Sequence, residues 1–249
     1  MRRCRLPTVH GVRRVIAQIL PIVLVGPVAP LGPDGPPSGI AKRPVAGPWQ
    51  ITATGIKGDA QGDLRFHGGP EKALHHYPQE HYAAWTFEIG VHPVLGAPGA
   101  FGENLATTGW TERDVCIGDI AHFGSAILQV SQGRQPCYKL DRRLDRSGMA
   151  LAVQRTGRTG WYWRVLKEGL AEPGDALELG DRLRPEWPLS RLNRLLYVDT
   201  RNWRDLEIAA AIPELAERWR TLARRRLETR TVEDWSRRLT GTGDTTGLA

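Results

Sequence analysis

The residue with the clearest potential for chemistry is Cys137, in the stretch SQGRQPCYKL from Ser131 to Leu140. Arg134 and Lys139 flank this cysteine, and Pro136 stiffens the approach to it. Positive neighbours favour the thiolate form of a cysteine, which is the form that binds soft metals and attacks electrophiles. We therefore expect Cys137 to be a metal ligand or a nucleophile. The alternative is a half-buried structural thiol.

A second stretch, HGGPEK, runs from His67 to Lys72. Its two glycines, Gly68 and Gly69, allow a ligand to approach the backbone closely, and successive amide groups in such a turn can form a concave anion site. His67 and Lys72 would then flank the anion. The alternative for this stretch is a tight turn between two strands.

Two further segments carry side chains suited to a heterocyclic ligand. Asn104 can both donate and accept hydrogen bonds, as recognition of a heterocycle edge requires, although asparagine after glycine also commonly holds a turn. Arg158 lies between glycine-bearing turns and precedes an aromatic-rich strand that starts at Trp161. This arrangement suits a pocket rim, with a cation for a phosphate and a ring for stacking. A surface loop that enters a strand with inward aromatics is the alternative.

Histidines at positions 67, 75, 76 and 81 raise the question of a zinc site. Pro78 would disrupt one continuous helix through this segment, so we expect His76 and His81 on different elements. A zinc site that included Cys137 would need ligands from distant loops, without the paired spacing of structural zinc sites. The sequence therefore disfavours zinc.

The sequence patterns around these residues predict a mainly β protein. Alternating side chains over 126–131 predict the strand that delivers the Cys137 loop. Glycine and proline dominate 26–47, and short extended pieces alternate with glycines over 51–62, which favours a small β-barrel over a parallel α/β sheet. Residues 74–77 are predicted to form a strand that ends before a helix.

That helix is predicted to start with Pro78 in its first turn and to run to about Ile89, with Trp85 on its inner face. Beyond a linker at 184–188, apolar residues recur with a helical period and predict three short helices. Ser190 and Asn202 are predicted N-caps, and Pro213 is predicted to start the third helix. Their apolar positions are Leu192, Leu195 and Leu196, then Trp203 and Leu206, then Leu215, Trp219, Leu222 and Ala223.

Composition restricts the class of protein. The 249 residues can bury a proper core as one large domain, alone or with a small companion. Three cysteines, at positions 4, 116 and 137, argue against a disulfide framework and for a reducing compartment, so we predict a cytoplasmic protein.

The net charge of the chain indicates the kind of partner. Lys and Arg number 34 against 27 Asp and Glu, and the net charge of +7 favours an anionic partner. No motif for specific nucleic-acid binding is present.

The N-terminal residues need a separate interpretation. Five arginines, at positions 2, 3, 5, 13 and 14, precede an apolar run from Val15 to Val25. The run is too short to span a bilayer, and no convincing small-x-small cleavage site follows it. We therefore predict a first strand after a leader and no membrane partner. A signal peptide is the alternative.

Taken together, the motifs closely resemble those of the YiiM-type MOSC-domain proteins, over roughly residues 22 to 240. The chain departs from the family at Gly133, where proline is usual. The composition of the termini predicts a leader or first strand over 1–21 and a disordered tail over 241–249, and the resemblance predicts a MOSC β-barrel domain over 22–183 and a three-helix domain over 184–240. The motifs are GIAK at 39–42, GDAQ at 58–61, HGGPEKA at 67–73, PQEHY at 78–82, FGENL at 101–105, SQGRQPCYKL at 131–140 and TGRTGW at 156–161.

The resemblance implies a fold, a cofactor and an activity. The fold is a MOSC-type β-barrel with flanking helices, followed by a small three-helix domain. The cofactor is the molybdenum cofactor (molybdopterin), with Cys137 as the ligand to the metal. The activity is the reduction of N-hydroxylated purine bases and related N-hydroxylated compounds, which detoxifies base analogues, with a separate flavoprotein reductase as electron donor.

A pterin cofactor carries a phosphate and a hydrogen-bonding ring, so it needs cations and exposed amides together with one thiolate. We expect His67 to act as proton donor beside Cys137. The alternative function is a carrier of cofactor or of sulfur, with a persulfide on Cys137. The predicted cofactor-binding residues are Lys42, His67, Gly68, Gly69, Lys72, Asn104, Ser131, Arg134 and Arg158.

Overall fold

The computed structural model of this protein describes residues 14–241. The predicted leader before residue 14 and the predicted disordered tail after residue 241 lie outside the described residues. The described part of the leader contains a strand, Arg14–Ile19, as predicted for the apolar run that starts at Val15.

The described residues form fourteen strands. The bounds of the first seven are β1 (Arg14–Ile19), β2 (Ile22–Val25), β3 (Ala29–Pro30), β4 (Pro37–Ser38), β5 (Arg43–Pro44), β6 (Trp49–Thr52) and β7 (Gly55–Ile56). The others are β8 (Leu74–Pro78), β9 (Leu105–Thr107), β10 (Ile120–Phe123), β11 (Ala126–Gly133), β12 (Trp161–Lys167), β13 (Gly169–Ala171) and β14 (Leu177–Asp181).

Eight α-helices and two short 3₁₀ turns, at Pro70–Lys72 and Pro93–Gly96, connect and follow the strands. The helices are α1 (Leu64–His67), α2 (Glu80–Ile89), α3 (Lys139–Arg143), α4 (Met149–Thr156), α5 (Leu189–Tyr197), α6 (Trp203–Ala211), α7 (Glu217–Thr229) and α8 (Ser236–Thr240).

Nine strands form one large sheet in the order β1-β14-β10-β11-β12-β8-β9-β2-β5. Neighbours are antiparallel except β8 and β9, which run parallel, and within residues 14–241 the two end strands do not pair with each other. The sheet is therefore a curled half-barrel. The small sheets β13-β6-β7 and β3-β4 flank it. The predicted fold class, mainly β with flanking helices and a C-terminal helical domain, is confirmed in this form.

Strand β11 delivers the Cys137 loop, as the alternation over 126–131 predicts. Ala126, Leu128 and Val130 are completely buried on its inner face. The outer face is also covered toward the end of the strand, because α5 and the turn at Pro70–Lys72 lie against it and bury Ser131. The loop that follows therefore starts from a strand that is held on both faces.

Two hydrophobic clusters fill the protein. The larger one continues from the sheet into the C-terminal helices without a break, so the two predicted domains share one core. It includes Leu128 and Trp163 of the sheet and Leu192, Leu206 and Trp219 of α5, α6 and α7. The smaller cluster lies beneath α2 and α4 and includes Tyr77, Trp85, Phe101, Leu140 and Met149.

Several predicted helix boundaries are corrected by the structure. Pro78 is the last residue of β8, where it pairs with Thr107, and α2 starts only at Glu80. The predicted cap Ser190 lies inside α5, which has Pro188 as its N-cap. Pro213 lies between α6 and α7.

The start of α7 is displaced because the segment before it is tied to the sheet, where the amide of Ala216 donates to the carbonyl of Ser131 at 2.9 Å. Asn202 is confirmed as an N-cap, since its side chain accepts from the amide of Asp205 at 3.1 Å. The short helix α8 is not predicted by the sequence pattern. None of the helices formed by residues 14–241 has the length and apolar character needed to cross a bilayer.

Candidate functional site

Seventeen of the described residues line a cavity of about 560 Å³, measured out to its open mouth, which we call the cationic cavity. The cavity brings together six residues that the sequence singled out, namely Lys42, His67, Lys72, Asn104, Arg134 and Cys137.

The loop between β11 and α3 supplies the reactive side of the cavity. The amide of Arg134 donates to the carbonyl of Gly160 at 3.0 Å, which extends the pairing of β11 with β12 beyond the end of the strand. Pro136 cannot continue such a ladder, since it has no amide hydrogen. The chain then turns, and the amide of Leu140 donates to the carbonyl of Cys137 at 2.9 Å as α3 begins. The end of β11, Pro136 and the start of α3 together direct the side chain of Cys137 into the cavity.

Helix α8 holds this loop from the outside. The amide of Tyr138 donates to the carbonyl of Arg238 at 2.8 Å. The guanidinium of Arg238 donates to the carbonyl of Pro136 and, at 2.5 Å, to Oε1 of Gln154. The cysteine loop is thus fixed by backbone and side-chain bonds on both sides of Cys137.

The lining of the cavity is strongly positive. It contains four Lys or Arg side chains, and none of the lining residues that the structure describes is Asp or Glu. Arg134 is 6% exposed, and its Nη1 is buried without a hydrogen-bond partner among the described residues. A buried donor without a partner is costly, and native proteins rarely leave one unsatisfied. The cavity therefore has the character of an anion site, with the Cys137 thiol 8% exposed on its wall.

Two lysines contribute to this charge. Lys139 donates from Nζ to the carbonyl of Pro37 at 3.1 Å. Lys72 donates to the carbonyl of Phe66, and its Nζ lies 5.9 Å from the centre of the Tyr162 ring. Burial, followed by the nearby guanidinium of Arg218, lowers the pKa of Lys72 to about 8. Lys72 is therefore still an ammonium at pH 7, but one that gives up its proton more readily than an ordinary lysine.

The same cations act on His67. Burial lowers its pKa to about 4, with further contributions from Lys139, Arg134 and Lys72. The imidazole is therefore neutral near pH 7, with one nitrogen able to donate and the other able to accept a hydrogen bond. An anion bound among these cations would reduce their repulsion and raise the pKa of His67.

Lys42 and Asn104 form a different wall of the cavity. Lys42 is ion-paired with Asp59, and this carboxylate also accepts from the amide of Gly26 at 3.0 Å and from Nδ2 of Asn104 at 2.8 Å. Burial lowers the pKa of Lys42, and the charge of Asp59 opposes that shift. Much of the positive charge of Lys42 is therefore compensated inside the protein.

The side chain of Asn104 is likewise engaged. Its Oδ1 accepts from the amide of His75 at 3.1 Å, and its Nδ2 also donates to the carbonyl of Leu24 at 3.2 Å. Asn104 thus connects β8, β2 and Asp59. These contacts connect distant strands and do not hold a local turn, and a contact of Asn104 with a ligand's edge stays a prediction.

Four of the predicted residues do not line the cavity, namely Gly68, Gly69, Ser131 and Arg158. Gly69, with φ at 94°, initiates the turn at Pro70–Lys72, where a left-handed backbone is required. The hydroxyl of Ser131 donates to the carbonyl of Glu71 at 2.6 Å, so it secures that turn against β11. Arg158 pairs with Glu88 and lies 4.5 Å over the ring of Trp85, away from the cavity.

Sequence reasoning did not include several lining residues in the site, among them His75, Lys139 and Tyr162. Tyr162 could have been found from the alternation of β12, since Trp161 and Trp163 are fully buried on the core face and the residue between them faces the other way. Lys139 was recognised only as a cation beside Cys137, although its position two residues after the cysteine could have placed it in the site. His75 lies in a fully buried strand, where its type alone gives no signal.

Comparison with known proteins adds the following matches. Residues 63–178 match the MOSC domain, and residues 187–230 match the YiiM-like, 3-alpha helix domain. Protein YiiM of Escherichia coli (strain K12) is 41% identical over 213 residues, which cover 84% of this chain and 93% of that protein. The crystal structure of YiiM from Escherichia coli has a TM-score of 0.77 at 32% identity, covering 90% of this chain and 98% of that chain. A protein named Reductase from Gibberella moniliformis (strain M3125 / FGSC 7600) is 41% identical over 160 residues, which cover 64% of this chain and 28% of that protein.

Proposed function

Because this chain belongs to the MOSC-domain family and carries the YiiM-like 3-alpha helix domain, we propose that it is a molybdenum-cofactor-dependent reductase of N-hydroxylated compounds, with N-hydroxylated purine bases as the substrate class. Family membership and the relative named Reductase support an oxidoreductase-type activity. Since this chain spans only 28% of that relative, the relative does not indicate a substrate.

The observation that carries the proposal is the unpartnered Nη1 of Arg134 in the cavity wall that also presents the Cys137 thiol. A molybdopterin combines a phosphate with a soft metal-binding group, so a site for it needs a buried cation and a thiolate on one wall. The cavity has the buried guanidinium of Arg134 and the thiol of Cys137 on one wall. Among residues 14–241 no three His, Cys, Asp or Glu side chains are placed to hold a metal ion. Of the residues that line the cavity, Cys137 is the one suited to bind molybdenum.

The other lining residues would hold the organic part of the cofactor. Arg134 and Lys139 would hold its phosphate, because their charges are not neutralised by a carboxylate in the lining. Gln61 also lines the cavity, and its amide can donate and accept at the edge of a pterin ring. The buried Lys42 and Asp59 pair would support that wall without supplying net charge.

When bound, the cofactor supplies two-electron redox chemistry. Reduction of an N-hydroxylated amine breaks the N–O bond, consumes two electrons and two protons, and gives the amine and one water. The chain's own contribution is to deliver a proton to the departing oxygen. We assign that proton to the ammonium of Lys72, whose pKa of about 8 keeps it charged at pH 7 and ready to donate.

His67 takes a supporting part in this proposal. Its pKa of about 4 before an anion binds leaves it neutral there, so we assign it to orient the substrate or relay a proton and not to serve as the first donor. The electrons would come from a separate flavoprotein reductase. In the cytoplasm, such a reaction would detoxify N-hydroxylated base analogues.

The test is the molybdenum content of the protein, measured by elemental mass spectrometry after expression in a host that makes the cofactor. Wild type is expected to contain near-stoichiometric molybdenum and the Cys137→Ser variant to lose it. Cys116→Ser is the matched control, since Cys116 is also buried but lies 3.7 Å from the carbonyl of Pro185, outside the cavity.

Protein that contains molybdenum is then assayed with an N-hydroxylated purine and a flavoprotein electron donor. Absence of molybdenum from all three proteins would remove the proposed role of Cys137. A persulfide adduct on Cys137 in that case would favour a sulfur carrier.

A further inference from the structure

A second cavity lies on the other side of the loop at 157–160, between the end of α4, the start of α5 and the turn at 111–113. Its volume is about 1,080 Å³, measured out to its open mouth. Four arginines line it, namely Arg113, Arg155, Arg158 and Arg194. We call it the arginine groove.

Three of the four groove arginines have no carboxylate partner among the described residues, and the fourth, Arg158, pairs with Glu88. Arg113, Arg155 and Arg194 are exposed, and within residues 14–241 none of them has a carboxylate within salt-bridge distance. Glu112 is the one acidic residue among the described residues that line the groove.

The carboxylate of Glu112 is already occupied. Its Oε2 lies 2.8 Å from Nε2 of His81, and its Oε1 accepts from the amide of Gly160 at 2.7 Å. Glu112 therefore stabilises the floor of the groove and has little capacity left for the arginines.

Arg158 adds a fixed donor. Its guanidinium is held over the ring of Trp85 at 4.5 Å and by Glu88, while Nη1 is buried and has no partner among the described residues. A buried guanidinium nitrogen that is held in place but unsatisfied has the geometry of a preformed binding group, because a bound acceptor would remove the cost of its desolvation.

The residue types in the groove define the ligand. Guanidinium groups match the paired oxygens of phosphate, and four arginines line this groove. Val198 is the one aliphatic residue beside the polar ones in the described lining, and no Phe, Tyr or Trp is present to stack on a base. Recognition therefore falls on the anion itself. We propose that the arginine groove is a binding site for a small phosphate-bearing anion, separate from the cationic cavity.

Gly160 connects the two sites through hydrogen bonds. Its amide donates to Glu112, which lines the groove, and its carbonyl accepts from the amide of Arg134, which lines the cavity. The two sites are therefore linked through one residue, and both are lined by cations. A test must distinguish them.

The experiment is titration of the cofactor-free full-length protein with inorganic pyrophosphate by isothermal titration calorimetry at constant ionic strength. Wild type is expected to bind two equivalents. The double variant Arg155→Gln with Arg194→Gln is expected to lose one of them, with at least a tenfold weaker affinity at the groove. Arg134→Gln is expected to lose the other. Because Arg155 and Arg194 are exposed, their replacement leaves the fold intact, and circular dichroism checks this.

Arg201→Gln, an exposed arginine outside both lining sets, is the control for net charge. Titration with a nucleoside monophosphate and with inorganic phosphate tests whether a base contributes to binding. We expect the two ligands to bind the groove with similar affinity. The proposal is overturned if the double variant binds both equivalents as wild type does, or if wild type binds a single equivalent that Arg134→Gln abolishes. These outcomes do not depend on molybdenum, so the proposed reductase function stands or fails separately.

Discussion

The ammonium of Lys42 and the carboxylate of Asp59 form an ion pair whose two side chains are only 4% and 1% exposed. Each charge has been removed from water, and each depends on the other for compensation. Removing one partner of such a pair typically destabilises a protein by about 3–5 kcal/mol, because the other is left buried and unpaired.

We therefore expect Asp59→Asn to lower the free energy of unfolding by about 3 kcal/mol or more, measured by urea denaturation. Adding Lys42→Met to that variant removes the stranded charge and is expected to restore part of the loss. If Asp59→Asn is as stable as wild type, the pair is not buried in solution as described.

The pH dependence of stability follows from His67. Its folded pKa of about 4 lies below the ordinary value of 6.5, so the unfolded chain binds a proton between these values while the folded protein does not. Stability must therefore fall as the pH is lowered from about 6.5 toward 4. His75 and His76, whose pKa values burial also lowers, add to the same trend.

His67→Gln is expected to reduce this acid sensitivity, with a gain relative to wild type of about 1–3 kcal/mol at pH 4 and little change at pH 8. The measurement is the urea midpoint as a function of pH, with His122→Gln as the control at an exposed position. Parallel curves for wild type and His67→Gln would contradict the burial of His67 among cations.

Arg238 offers a test of how the cysteine loop is held. Replacing it with glutamine removes its bonds to the carbonyl of Pro136 and to Gln154. The loop should then open more often, and we expect alkylation of Cys137 by iodoacetamide to become about tenfold faster, which corresponds to about 1.4 kcal/mol in the opening equilibrium. Mass spectrometry resolves Cys137 from Cys116. Arg237→Gln, at the exposed neighbouring position, should alkylate at the wild-type rate.

Ser131 and Arg134 lie three residues apart but have different roles in the structure. Ser131→Ala loses a hydrogen bond to the carbonyl of Glu71, so we expect a loss of about 1–2 kcal/mol in stability and unchanged phosphate binding in the cationic cavity. Arg134→Gln should weaken that binding at least tenfold. Calorimetry and urea denaturation on the same two variants separate the effects, and weakened binding in Ser131→Ala would place its hydroxyl in the site after all.

Some features of the candidate site could be predicted from the sequence, and others could not. The cysteine loop was predictable because strand β11, Pro136 and the flanking cations are local features, and all act within ten residues of Cys137. The placement of Arg158 was not, since an arginine between two glycines can turn to either side of the loop. Its partners Glu88 and Trp85 lie about 70 residues away in the chain.

The predicted helix boundaries were wrong where tertiary contacts override the local preference of the sequence. Pro213 is suited to a first helical turn, yet the segment that follows it is bound to Ser131 and α7 begins later, at Glu217. Helix α8 is five residues long, too short for a periodic pattern, and its contacts with the Cys137 loop depend on residues about 100 positions apart.

The continuous core couples the unfolding of the sheet to the unfolding of the C-terminal helices. Leu192, Leu206 and Trp219 belong to the same hydrophobic cluster as Leu128 and Trp163 of the sheet. A recombinant fragment that ends at residue 183 would uncover the face of the sheet on which those helices lie. The chain should therefore melt in a single calorimetric transition, and the slowest-exchanging amides should be found on both sides of the boundary at 184–188.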